Sequence, residues 1–206
     1  MKRFFLTGIG TDVGKTITAA ILAQALKAEY WKPVQAGSLE FTDTMRVKSL
    51  VSEPDCIFHN EVYRLQQPMS PHAAAELEGI DIELSDFKPL HNHKTIIIEG
   101  AGGLLVPINY RELIIDLIPM IADEVILVSR NYLGSINHTL LSAFALKQRE
   151  IPVRGIIFNG APNYYTEKVI LDQTGYKPLA HIPELEDISR VSVAQIAATI
   201  DVELFK

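Results

Sequence analysis

The chain has 206 residues, 48% hydrophobic and 21% charged, a balance that excludes a disordered segment and supplies enough apolar surface for one compact domain spanning 1–206. With 19 basic against 25 acidic residues the net charge is −6, and no Lys/Arg stripe forms that could compete for a polyanion, so nucleic acid is not an expected partner. The single cysteine, Cys56, excludes an intramolecular disulfide, and no uninterrupted apolar run approaches the ~18–20 residues of a membrane span. A cytoplasmic protein without a membrane partner is expected.

The first element is a strand over Arg3–Thr7, where Phe4, Phe5 and Leu6 form an apolar run too short for a signal-peptide core. It leads into Gly8-Ile9-Gly10-Thr11-Asp12-Val13-Gly14-Lys15-Thr16 and then a helix over Lys15–Lys27, with Ile17, Ala20, Ile21 and Ala25 on one face. A glycine-rich turn between strand and helix points successive backbone N–H groups at phosphate oxygens, and the helix N-terminus adds partial positive charge. Lys15 would bridge the terminal phosphates of a nucleotide, and the Thr16 hydroxyl would coordinate Mg²⁺. The loop is one residue longer than G-x-x-x-x-G-K-[ST], because Gly8 stands one position further from Gly14 than that pattern allows. A coincidental strand-turn-helix and a kinase or GTPase of another family remain alternatives. Gly10 stands where some ATPases of this broad class carry a second lysine, which argues against a partition-type or regulatory ATPase.

The next strand is expected over Tyr30–Val34, ended by Lys32-Pro33 because proline stops sheet pairing. Lys32 could project over the phosphates or simply face solvent. A helix is expected over Asp43–Val51, where Asp43 is either a metal ligand or a helix cap. Residues Ser52–Gln67 read as a loop, followed by helices over Pro71–Leu77 and Ser85–His91. The strand Thr95–Glu99 delivers a carboxylate after three isoleucines and before Gly100-Ala101-Gly102-Gly103, which makes Glu99 a candidate for Mg²⁺, a cation that favours hard oxygen ligands.

A helix over Leu113–Ile121 and a strand over Val125–Ser129 precede Leu133-Gly134-Ser135-Ile136-Asn137-His138. That segment opens a helix over Thr139–Arg149 and could either bind a carboxylate through free N–H groups or be capped by Ser135 or Asn137. Strands over Val153–Phe158 and Pro178–Ile182 flank a helix over Tyr165–Thr174, and a last helix covers Val191–Ile200. Strands apolar on both faces, alternating with helical patterns, predict an α/β fold: one doubly wound, mostly parallel sheet with helices on both faces. In such sheets ligands bind beyond the carboxyl ends of the strands, where these motifs fall.

Taken together, Thr7-Gly8 with Thr11–Thr16, Lys32-Pro33-Val34, Ser70-Pro71-His72, Glu99–Gly103 and Leu133–His138 resemble the dethiobiotin synthetases, ATP-dependent cyclo-ligases of biotin synthesis within the P-loop superfamily. The resemblance spans nearly the whole chain, and the family also has the lengthened loop. It implies that Thr16, Asp43 and Glu99 hold Mg²⁺, and that ATP is contacted by Asp12, Val13, Gly14, Lys15, Thr16, Ile17, Asp43, Glu99, Gly100, Ala101 and Gly102. Asn159 and Gly160, with Ile182, Pro183 and Glu184, are similar to the family's adenine-side contacts.

The implied reaction adds CO₂ to one amine of 7,8-diaminopelargonate, phosphorylates the carbamate with ATP and closes the ureido ring. Lys15 and Lys32 would stabilise the phosphoryl transfer, with Thr11 positioning the carbamate. The resemblance further implies a homodimer in which Leu133, Gly134, Ser135, Ile136 and Asn137 of the partner subunit receive the substrate carboxylate. Where the family has Ser or Thr before the glycine of its Lys-Pro segment this chain has Ala36, so Gln35 or Ser38 is expected to replace that hydroxyl.

Overall fold

The computed structural model describes residues 2–90 and 94–206. Seven strands form one parallel sheet in the order β4-β2-β6-β1-β7-β8-β9: Phe58–His59, Glu29–Trp31, Ile96–Gly103, Arg3–Gly8, Glu124–Arg130, Val153–Asn159 and Pro178–Ile182. Strand β3 (Val34–Ala36) pairs in parallel with β5 (Tyr63–Leu65) as a separate two-stranded sheet. The seven helices are α1 (Lys15–Leu26), α2 (Asp43–Leu50), α3 (Pro71–Glu78), α4 (Ile114–Ile121), α5 (Ser135–Gln148), α6 (Tyr164–Thr174) and α7 (Arg190–Ala197) among the described residues. This is the α/β doubly wound sheet expected from the alternation of short apolar runs and helical patterns.

Period-two alternation sorts the central strands between two cores. Phe4, Leu6, Tyr30, Ile97, Ile126 and Val128 pack with α1, α2 and α7 on one face. Phe5, Trp31, Ile96, Ile98 and Val125 pack with α3 and α4 on the other. Because Tyr30 pairs with Ile97 and Leu6 with Glu99, the residues two further along, Lys32 and Glu99, emerge on the α1 face at the carboxyl end. The chain leaves β1 on one side for β2 and returns on the other through β7, so the loop after β1 sits where the winding reverses, the usual ligand crevice of such sheets.

Several expectations need correction. The strand expected over Tyr30–Val34 is two, because Pro33 supplies no N–H; its carbonyl instead accepts from the Val62 and Tyr63 N–H groups. The expected loop Ser52–Gln67 contains β4 and β5, strands of two and three residues that are too short to leave an alternation signal. In place of a helix over Ser85–His91 there is a single 3-10 turn, Leu84–Asp86; Pro89 disfavours helical continuation, and His91 lies outside the described residues. Helix α5 starts four residues before Thr139, following Gly134 at φ 102°. Helix α7 ends at Ala197 rather than Ile200.

Candidate active site

The glycine-rich loop between β1 and α1 turns through residues that favour unusual backbone: Asp12 at φ 56° and Gly14 at φ 91°. Gly14 is required twice over. A Cβ there would stand 1.9 Å from Asn159 Nδ2, which approaches to donate 2.8 Å to the Val13 carbonyl. That bond ties the loop to the end of β8 and uses part of the Asn159 amide that the sequence suggested for a base edge. Lys15 is buried, and its ammonium donates 2.7 Å to the Gly10 carbonyl across the loop; burial lowers its pKa.

Five polar side chains converge beside it. Glu99, 1% exposed, accepts from Thr16 Oγ1 at 2.8 Å, Tyr30 Oη at 2.8 Å and Lys32 Nζ at 3.1 Å. Thr16 Oγ1 also lies 3.0 Å from Asp43 Oδ1, and Lys32 forms a second ion pair with Asp43. Burial alone would lower the Lys32 pKa, but Glu99 and Asp43 more than reverse it and raise it. Burial alone would raise Asp43, and Lys32 with Thr16 brings it below the usual carboxylate value instead. Lys32 is thus neither solvated nor free. Asp43 is not the cap of α2, because Thr42 Oγ1 accepts from the Met45 N–H in that role.

Two carboxylates and a threonine hydroxyl aimed at one point are hard donors of the kind Mg²⁺ takes together with phosphate oxygens, and the Lys32 ammonium resting between the carboxylates stands in for a cation. The residues therefore fit the ion. No cluster of three or more His, Cys, Asp or Glu side chains suited to a metal occurs among the described residues.

A cleft of ≈ 830 Å³ opens over this cluster. Of the expected residues, Thr11, Asp12, Gly14, Lys15, Thr16, Ile17, Lys32, Ser38, Asp43, Glu99, Ala101 and Gly102 line it. Val13 and Gly100 are buried behind the wall, and a Cβ on Gly100 would stand 2.8 Å from the Phe5 ring. Gln35 lines the cleft too, with its amide engaged within the protein. Its Nε2 donates to the Gly37 carbonyl and its Oε1 accepts from the Asp43 N–H, which fixes the start of α2.

The remaining expected residues lie elsewhere. Asn159 and Gly160 end β8 next to Ile182, whose carbonyl accepts from the Gly160 N–H; Pro183 and Glu184 follow, and Glu184 pairs with Arg130. Leu133, fully exposed, and Gly134, Ser135, Ile136 and Asn137 open α5 outside the cleft wall. Gly134 is the N-cap and no side chain caps the helix, so capping by Ser135 or Asn137 is excluded. The sequence reading missed Tyr30, Phe41 and Arg46. Tyr30 could have been found from its place two residues before Lys32, on the same face of a strand. Phe41 and Arg46 had no motif to mark them.

A strand, a glycine-rich loop with Lys15 and Thr16, and a parallel sheet make this a P-loop nucleotide-binding protein, and solved structures agree on the fold. A Borrelia burgdorferi plasmid partition protein aligns with TM-score 0.59 at 14% identity, covering 99% of this chain and 97% of that one. The Pyrococcus furiosus cell division ATPase MinD aligns with TM-score 0.56 at 15% identity over 100% of both chains. A family described as AAA domain matches residues 2–192. Among curated relatives, the ATP-dependent dethiobiotin synthetase BioD of Cytophaga hutchinsonii is 51% identical over 97% of both chains. The protein of the same name from Christiangramia forsetii is 54% identical over 89% of this chain and 88% of its own, and that from Agrobacterium fabrum is 41% identical over 95% and 92%. The chain belongs to the ATP-dependent dethiobiotin synthetase family. Similarity to MinD and the partition proteins concerns the fold alone.

Proposed function

We infer that the chain is an ATP-dependent ligase of biotin synthesis, which carboxylates 7,8-diaminopelargonate with CO₂, phosphorylates the carbamate and closes the ureido ring to dethiobiotin. One observation carries the assignment of roles: Lys32, Thr16, Tyr30 and Asp43 converge on or beside the buried Glu99, at a cleft walled by the phosphate loop. The reading places the whole activity in one domain.

In the first step an amine nitrogen bonds to the carbon of CO₂ and loses a proton, giving a carbamate. A carbamate oxygen then attacks the γ-phosphorus as the bond to ADP breaks. The second amine finally attacks the carbamoyl carbon and expels phosphate. Carbamate and triphosphate are both anionic, so their approach requires cations, which Lys15 and Lys32 supply. Thr11, exposed at the cleft mouth, would orient the carbamate, and Ser38 is the hydroxyl left to meet the substrate where Ala36 has none. Thr16, Asp43 and Glu99 would hold Mg²⁺, whose charge offsets that of the phosphate oxygens when it is bound.

The reading includes a homodimer in which the α5 N-terminus of the partner subunit receives the substrate carboxylate. Two features support it: the uncapped first turn after Gly134, and the exposed apolar side chains Leu133, Ile136, Leu141 and Phe144 on that segment. Among the described residues no helix is long and apolar enough to cross a membrane. The test is phosphate release from Mg·ATP, which should require both bicarbonate and 7,8-diaminopelargonate; release indifferent to the diamine would overturn the assignment.

A further inference from the structure

Three cations line the cleft, Lys15, Lys32 and Arg46, facing three carboxylates, Asp12, Asp43 and Glu99. Two of the cations are already engaged within the protein. Lys15 donates to the Gly10 carbonyl, and Lys32 is held by Glu99 and Asp43. Arg46 differs: no side-chain hydrogen bond or ion pair joins it to any of the described residues. An exposed arginine on an ordinary helix face needs no explanation. This one borders the cleft.

Its direction is set by the helix. Arg46 lies three residues after Asp43, so the two share one face of α2, and helical side chains lean toward the N-terminus. A stem that follows this lean runs back over the turn that carries Asp43, and Arg46 lines the same cleft as Thr16, Asp43 and Glu99. A guanidinium there presents a planar fork of donors suited to two oxygens of one phosphoryl group.

We propose that Arg46 binds the terminal phosphoryl group of the nucleotide and stabilises it during transfer to the carbamate, a role that rests on the ligase reading above. The substrate carboxylate is the competing anion, and binding measurements separate the two. For Arg46→Ala in the full chain, calorimetric titration should show Mg·AMPPNP bound about tenfold or more weakly, the size expected for a lost charge-assisted contact. Mg·ADP, which lacks the terminal group, should bind within about twofold of the unchanged protein. Arg46→Lys, keeping the charge without the fork, should fall between.

An equal loss for both nucleotides, including one caused by misfolding, would overturn the proposal, as would no loss for either. A rise confined to the KM for the diamine would assign Arg46 to the substrate carboxylate and overturn it too. Wild-type phosphate release that ignores the diamine would remove the ligase reading, yet it leaves the comparison of the two nucleotides intact, so the two failures are distinguishable.

Discussion

The Lys32 ammonium lies 3.1 Å from Glu99 Oε1, and both side chains are withdrawn from solvent. Asp43 completes the pair of carboxylates around it, so the lysine stays protonated despite its burial and neutralises two groups that would otherwise repel. A bound divalent cation would compete for the same oxygens and free Lys32 to meet incoming anions. Lys32→Ala should lower turnover by about 10²–10³ or more, the scale of losing a charge that stabilises a transition state. Nucleotide affinity, measured by fluorescence titration, should change only a few-fold, while Mn²⁺ affinity read by electron paramagnetic resonance should rise. Parallel loss of turnover and nucleotide binding would contradict this division of labour.

Tyr30 supports the same carboxylate from beneath. Its hydroxyl donates 2.8 Å to Glu99 Oε2, and burial beside Glu99 pushes its pKa well above the usual value, so it remains a donor at any working pH. Tyr30→Phe keeps the ring packed and removes only that bond, leaving a buried acceptor short of a partner. Such a loss costs about 1–3 kcal/mol. Urea unfolding should register that drop, and the Mg²⁺ concentration needed for half-maximal activity should rise. An unchanged unfolding midpoint would show that Glu99 finds another donor.

Asn159 acts on the loop from the carboxyl end of β8. Its Nδ2 holds the Val13 carbonyl at 2.8 Å, and the approach is possible because Gly14 has no Cβ. Asn159→Ala should raise the KM for ATP with a smaller effect on kcat, since the phosphate loop loses its tether while Lys32 and Glu99 keep their geometry. Gly14→Ala should be worse, because it both crowds Asn159 and forces a side chain onto backbone at φ 91°. Steady-state kinetics on the two variants, with circular dichroism to confirm folding, would rank them.

How much of this was legible in the chain depended on the range of the interactions involved. The phosphate loop, the strand carrying Ile96-Ile97-Ile98-Glu99 and the central strands are marked by local patterns, and the structure places them as those patterns suggest. What convergence of side chains decides was not legible. Alternation along the strand places Tyr30 on the face of Lys32, but its partner Glu99 is 69 residues away and Val13 is 146 from Asn159, distances over which no motif speaks. The short strands β3, β4 and β5 were equally hidden, because their pairing is set by partners rather than by their own two or three residues. Arg46 was passed over for a related reason. An arginine on a polar helix face looks solvated until the cleft beside it is known.

Cys56 lies outside this chemistry and should behave accordingly. Its thiol donates to the Ala28 carbonyl, and burial pushes its pKa from 9.0 up to about 12. Only the thiolate is nucleophilic, so at pH 8 alkylation of the folded protein should run roughly 10³-fold more slowly than that of the urea-unfolded chain. A raised thiol pKa favours the protonated fold, a contribution fully present below about pH 9 and lost as pH rises through about 12. Iodoacetamide labelling followed by mass spectrometry would check the rate, and equal rates folded and unfolded would refute the burial argument.

The proposed shared site predicts how variants combine. Asn137→Asp changes little volume but sets a carboxylate in the first turn of α5, where the uncapped N–H groups would otherwise face the substrate carboxylate of the other subunit. Its KM for the diamine should rise about tenfold or more, with ATP affinity unaffected, as expected for like charges brought together. Lys32→Ala disables the other half of each site. In a mixed dimer of the two variants, one site carries both defects and the other carries neither. Unfolding and refolding the two chains together at equal amounts makes half the dimers mixed, so at diamine well below its KM, where either defect alone removes most turnover, activity should recover to about one quarter of wild type. Sites built from a single chain would give no recovery, because every site would then keep one defect.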